Sequence, residues 1–135
     1  MVDYLKPLPV LDIEGRFFWE SCKKHEMALQ QCVSCKQFRY PPRSLCPRCH
    51  SPEAQWTPIS GRGQVYVALV MCHSYSPAWE HDMPYNISLI DLEEGVRMWS
   101  NVIGCLAEEV KIGYHVEISY DDVNDDITLP KFRKA

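Results

Sequence analysis

The sequence predicts a mainly β protein in which an N-terminal helix and a small cysteine-built ribbon precede a five-stranded barrel. Three observations predict it. Cysteines fall in two close pairs, Cys32/Cys35 and Cys46/Cys49, inside a proline-rich stretch with little periodicity. Gly61-Arg62-Gly63 marks a sharp change of texture. Beyond it, apolar and polar residues alternate in short runs between turn residues, as strands with one buried face do. The division falls at residue 60, with helix and ribbon in 1–60 and the barrel in 61–135.

The elements follow in order. Asp12 can cap a helix running to about His25, with Ile13, Phe17, Ser21 and Cys22 on one face and Gly15 weakening it slightly. Gln31 to Ser51 reads as loop, holding both cysteine pairs and Pro41, Pro42 and Pro47. Gln64 to Met71 alternates, placing Val65, Val67, Leu69 and Met71 on one face of a strand. A loop from Cys72 to Pro84 leads to a second strand, Tyr85–Leu92, and a turn at Glu93-Glu94-Gly95. Val96–Ile103 is the third strand, Leu106–Ile112 has room for a short helix, and Tyr114–Tyr120 and Ile127–Phe132 complete the set. Five short strands with a helix between the third and fourth match the Greek-key barrel called the OB-fold, a spacing other small barrels share.

Composition excludes several classes. With 135 residues, 46% of them apolar and 24% charged, the chain is ordinary for a globular protein. Its longest strongly apolar stretch, Val65–Cys72, is too short to span a bilayer. Met1–Val10 has neither a basic start nor an apolar core, so no signal peptide is visible. Cys22, Cys72 and Cys105 are scattered rather than paired, which fits a reducing cytoplasm. The net charge of −4 is unevenly spread: residues 1–64 carry nine Lys/Arg against six Asp/Glu, and residues 65–135 carry five against twelve. A dominant basic face, the usual footprint of nucleic-acid binding, is missing.

Cys32-x-x-Cys35, ten intervening residues and Cys46-x-x-Cys49 form the strongest chemical signal. A two-residue gap lets both thiolates of a pair meet one ion from a single tight turn. Four such sulfurs close a tetrahedral shell with no position open to water or substrate. Zinc is the expected metal; a rubredoxin-type iron centre uses the same ligands. Such a site holds structure and does no chemistry, contributing roughly 10–16 kcal/mol in apparent terms. His50, beside the last cysteine, reads as a surface residue.

Other candidates are weaker. Cys22, Cys72 and Cys105 lie in no local nucleophile signature, and Asp121, Asp122, Asp125 and Asp126 lack the glycine and glutamate of a calcium loop. No catalytic residue is expected. Tyr75, Trp79 and Tyr85 crowd the loop after the first strand, where they either contact a flat ligand or protein partner or plug the barrel's open end. Lys36, Arg39, Arg43 and Arg48 in the ribbon, with Arg62 beyond it, are either a phosphate-binding patch or a solvated surface.

These residues carry a resemblance. Phe18-Trp19-Glu20, the two cysteine pairs, Tyr40-Pro41-Pro42-Arg43, Gly61-Arg62-Gly63-Gln64-Val65-Tyr66, Pro84-Tyr85, Leu92-Glu93-Glu94-Gly95, Ile112-Gly113 and Thr128-Leu129-Pro130-Lys131-Phe132 resemble an acyl-CoA-associated family. Its members join an N-terminal rubredoxin-like zinc ribbon to a C-terminal OB-fold. Lys36 and His50 stand where that family often has glycine. The resemblance implies one zinc and an accessory subunit of a thiolase-like catalytic partner in a hetero-oligomer. A CoA thioester would be bound or its site completed, and the reacting residues would lie in the partner, a thiolase, a synthase or a lipid-transfer-protein-like aldolase. The Arg39, Arg43, Arg48 and Arg62 set would hold the phosphates, and the Tyr75, Trp79 and Tyr85 loop would face the acyl end or the partner. A single-stranded nucleic-acid-binding OB-fold is the rival from another class.

Overall fold

The computed structural model describes residues 6–135; residues 1–5, the start of the segment read for a leader, lie outside the described residues. One helix, α1 (Arg16–Lys23), is followed by three strands of a small sheet: β1 (Ala28–Cys32), β2 (Phe38–Arg39) and β3 (Ala54–Pro58). Six strands form the second sheet: β4 (Arg62–Met71), β5 (Tyr85–Leu92), β6 (Arg97–Ser100), β7 (Val102–Ile103), β8 (His115–Asp122) and β9 (Thr128–Lys134). Single 3-10 turns occupy Pro77–Asp82 and Ala107–Glu109, the second standing where the sequence left room for a short helix.

The helix is shorter than its sequence suggests, and it buries a different face. Asp12 accepts a bond from the Gly15 amide at 2.6 Å and so shapes a turn ahead of α1 rather than capping it. Phe18, Ser21 and Cys22 face inward, whereas Ile13 is 98% exposed and Phe17 half exposed. Ile13 precedes the first helical turn and takes no part in its register. Phe17 sits about 100° around the axis from Phe18 and stacks on Trp56 instead, ring centres 4.9 Å apart.

The stretch read as loop, Gln31–Ser51, contains the end of β1 and all of β2, and β3 follows it where no element was expected. β1 pairs antiparallel with β2 and β3, giving the order β2-β1-β3. A two-residue strand such as β2 is too short to show periodicity, and β3 reads Ala-Gln-Trp-Thr-Pro with no clean alternation.

The larger sheet runs β6-β5-β4-β8-β9-β7. Its two edges, β6 and β7, are the halves of the single third strand expected from sequence, broken at Asn101. β6 pairs antiparallel with β5 while β7 pairs parallel with β9, so the chain itself joins one edge of the sheet to the other. The result is the OB-fold arrangement, curled around one interior. Asn86 stitches the seam from inside: its side-chain amide donates to the Val102 carbonyl at 2.5 Å, and its carbonyl accepts from the Val102 amide at 2.7 Å.

Within β4 the alternation slips. Val65 pairs with Ile90 but Val67 with Leu89, so Tyr66 is an extra residue in a bulge. Past it the inward positions shift by one: Ala68, not Leu69, packs on the core, and Leu69 is 47% exposed. The expected single face of Val65, Val67, Leu69 and Met71 is therefore corrected to one fully buried residue, Val65.

Helix, ribbon sheet and barrel share one core. Phe18, Cys22, Met27 and Leu29 pack with Val65, Ile90, Leu92, Met98, Val102, Val110, Val116 and Phe132. Each such side chain contributes roughly 1.5–3 kcal/mol on burial. Two polar contacts reinforce the junction: the Met27 amide donates to the Tyr120 hydroxyl at 2.7 Å, and His25 stacks flat on Tyr120 while bonding Asp122 at 2.9 Å. No helix among the described residues is long and apolar enough to cross a membrane.

The seam generates a prediction. Asn86→Ala removes buried bonds on both sides of the Val102 peptide and should cost roughly 2–4 kcal/mol. Urea unfolding would show it as a lower midpoint with an unchanged slope.

Candidate metal centre and flanking clefts

The four paired cysteines converge at the tip of the small sheet. Cys32 ends β1, and Cys35 follows in the tight turn toward β2. Cys46 and Cys49 sit on the facing turn before β3. All four Sγ atoms lie within 4.8 Å of one another, with Cys32–Cys49 at 3.5 Å and Cys35–Cys46 at 3.6 Å. A tetrahedral zinc with bonds near 2.3 Å separates its sulfurs by about 3.8 Å, so the donor set fits.

Backbone amides prepare these sulfurs for a cation. Cys32 Sγ accepts from the Cys35 amide at 3.5 Å, and Cys46 Sγ accepts from Arg48 and Cys49 at 3.4 and 3.5 Å. The Cys49 amide, with that of Arg48, brings the Cys46 thiol down to about 6, and the Cys35 amide lowers Cys32 in the same direction. At Cys49 a backbone bond from Ser51 pulls downward too. The adjoining Cys32 sulfur, burial, and the Cys46 and Cys35 sulfurs outweigh it and hold that thiol up at about 11. Four sulfurs this close cannot all ionise without a cation between them. Bound there, zinc would supply a structural clamp, held by Cys32, Cys35, Cys46 and Cys49 with no position left for substrate.

Both turns close through a left-handed residue. Lys36 has φ 65° and His50 φ 64°, and each donates its amide back to the first cysteine of its pair, to Cys32 at 3.0 Å and Cys46 at 2.9 Å. These are the positions where the resembling family often has glycine. The turns keep their shape with a side chain present, at a backbone cost. His50 is exposed and belongs to no ligand group among the described residues.

The remaining singled-out residues divide between separate places. Arg39 and Arg43 line a cleft of about 500 Å³ between ribbon and barrel, together with Phe38, Tyr40, Asp91 and Arg97. Arg39 is 3% exposed, and no side-chain hydrogen bond or ion pair engages it among the described residues. Arg48 bonds Gln37 beside that cleft at 3.0 Å. Arg62 does not join them: it pairs with Glu93 at 3.1 Å on another face. Trp79 and Tyr85 line a second cleft of about 350 Å³ with Lys131, Cys105 and Val102. Tyr75 stands apart, 84% exposed and edge-on to His73. Sequence reasoning missed Arg97 and Asp91, which lie about fifty residues from Arg39 and carry no motif. Cys22 is buried in the core, which pushes its thiol up to about 12.

Comparison with known proteins places this architecture. Residues 19–54 match the family model for the ChsH2 rubredoxin-like zinc ribbon domain, and residues 56–121 match that for the ChsH2 C-terminal OB-fold domain. A probable enoyl-CoA hydratase alpha subunit of Thermomonospora curvata is 35% identical over 131 residues. That match takes in 97% of this chain but 40% of the relative, so the chain spans less than half of that protein's length. A benzoylsuccinyl-CoA thiolase subunit, BbsA, of Thauera aromatica is 28% identical over 109 residues, covering 77% of this chain and 73% of the relative. Among solved structures, a chain of the Ltp2-ChsH2(DUF35) aldolase superposes with a TM-score of 0.84 at 34% identity, covering 94% of this chain and 98% of that one. The chain belongs to the ChsH2 family of zinc-ribbon and OB-fold proteins.

Two outcomes are expected at the metal centre. Metal analysis should find about one zinc per chain in the parent, and Cys35→Ser, which opens the shell, should abolish it with a fall in soluble yield. Lys36→Gly and His50→Gly should each raise stability by about 0.5–1 kcal/mol, because the relief of left-handed strain exceeds the added flexibility of the unfolded chain. Denaturant titration at fixed zinc measures it.

Proposed function

We propose that this chain is a non-catalytic subunit of a thiolase-type acyl-CoA enzyme, scaffolding a thiolase-like partner and helping to bind its acyl-CoA in a cytoplasmic hetero-oligomer. The observation that carries the reading is the match, along nearly the whole chain, to a subunit of a two-protein aldolase. The likeness to a subunit of benzoylsuccinyl-CoA thiolase supports a CoA thioester and a thiolase partner. An aldolase partner is the second reading, favoured by the higher identity of the aldolase subunit.

The surface supports an assembling role. Ile13, expected on the helix's apolar face, is 98% exposed, Val10 is 82% exposed, and Phe17, Trp99 and Leu69 are about half exposed. Such side chains are available for burial against a partner. The closed sulfur shell leaves zinc no catalytic position. Seven unpaired cysteines suit a reducing compartment. Single-stranded nucleic acid is a poorer fit, because the barrel half is strongly acidic and Arg62, its neighbouring cation, is already paired with Glu93.

Reconstitution tests the reading. The isolated chain should turn over no acyl-CoA, activity should appear on adding the catalytic partner, and Cys105→Ser should keep most of it. Robust turnover by the chain alone would overturn the assignment. Trp79→Ala, opening the cleft it shares with Tyr85, should weaken the acyl-CoA complex or partner docking several-fold while leaving affinity for free CoA nearly unchanged.

A further inference from the structure

We infer that the cleft between ribbon and barrel is a binding site for a phosphate or diphosphate group, built around the buried guanidinium of Arg39. Arg39 comes from β2, and its Nε and Nη1 are shielded from water with no hydrogen-bond partner among the described residues. A buried charge without a counter-ion is strongly unfavourable, and proteins keep one where something else completes it. The same cleft receives Arg43 from the ribbon and Arg97 from the barrel. Against them stands one carboxylate, Asp91, whose nearest oxygen is 3.7 Å from Arg97 Nε. The cleft therefore carries an excess of two positive charges.

Two of the three guanidinium groups are held by contacts of their own. Arg97 lies over the Tyr66 ring at 3.8 Å, the residue that the β4 bulge turns outward. Arg43 Nη1 donates to the Pro42 carbonyl at 2.9 Å, and its backbone amide bonds the Gln30 side chain at 2.8 Å, while the Arg39 backbone pairs with Gln30 in the sheet register. Apolar walls from Phe38, Pro47 and Val96 lower the local dielectric, which strengthens an arginine–phosphate contact. About 500 Å³ of space admits a diphosphate with part of its nucleoside. The identification of that nucleotide as the phosphorylated end of a CoA thioester rests on the functional reading above; the site itself rests on the cleft.

Calorimetric titration of the full zinc-loaded chain with inorganic pyrophosphate, CoA and pantetheine tests this. Pyrophosphate and CoA should bind and pantetheine, which lacks phosphate, should not. Pyrophosphate binding without CoA binding would keep the anion site and reject the nucleotide. Arg39→Met should weaken pyrophosphate binding about tenfold or more, while raising the unfolding midpoint of the ligand-free chain, because a buried unpaired charge is gone. A merely structural Arg39 would give a lowered midpoint instead. Arg97→Gln, at the exposed rim, should weaken binding about three- to tenfold whether or not Arg39→Met folds, and Arg62→Gln should change nothing. Absence of binding up to about 10 mM, or equal losses in Arg62→Gln and Arg97→Gln, would overturn the site. Partner capture is read separately. Assembly without arginine-dependent anion binding rejects only this site, and arginine-dependent binding without assembly rejects only the subunit reading.

Discussion

The ribbon between Val33 and Ser51 hangs on four sulfurs meeting at one point. Between Val33 and Ser51 only Arg39 and Cys46 are fully buried, so that stretch has no apolar core with which to hold its shape. The backbone there is set by two short turns whose amides point at sulfur, and an ion held by those sulfurs would lock it. From that anchor β1 runs away from the metal, delivering Met27 and Leu29 into the barrel interior through residues adjoining or within the strand. β2 leaves on the other side and places Arg39 at the barrel wall. Metal and barrel are thus two ends of one lever, and loss of the metal would be felt in the core and in the cleft together.

The same geometry explains which features were legible in the sequence. Cysteine spacing identifies the shell because two-residue gaps leave the chain little choice. β5 follows its pattern from Tyr85 to Leu92 because both neighbours keep it in strict alternation, with Asn86, Ser88, Ile90 and Leu92 inward. Where alternation failed, a local device outweighed it. Tyr66 bulges and reverses the face of β4; Asn101 breaks a run of strand-forming residues so that it can serve both edges of the barrel. Neither residue type announces that role. In α1 the misjudged face followed from a misjudged start: shifting the helix to Arg16 moves the inward stripe from Phe17 to Phe18.

The arginines show the limit most plainly. In sequence, Arg39, Arg43, Arg48 and Arg62 look like one basic supply, but each has a separate fate. One is buried without a partner, one lines the same cleft, one ties the ribbon to Gln37, and one is neutralised by Glu93. Charge counted along a chain does not report which charges are already satisfied. Arg97 reaches the cleft from the acidic half because a fold can bring a lone cation to a place that composition assigns to carboxylates.

That acidic half acquires a physical role once the cleft is considered. A surface carrying twelve carboxylates in seventy-one residues repels a diphosphate over most of its area. On the proposal above, an anion would approach along the ribbon, whose half of the chain is net positive, toward a recess where guanidinium groups outnumber carboxylates. A closed sulfur shell and the proposed anion cleft would be complementary parts of this arrangement. The first fixes β2 rigidly enough to hold Arg39 in an apolar wall, and the second draws its strength from that wall, since the same guanidinium in water would be screened and mobile. In the function proposed above, a subunit built in this way would contribute by position, orienting charge against the barrel, and the reacting groups would belong to its partner.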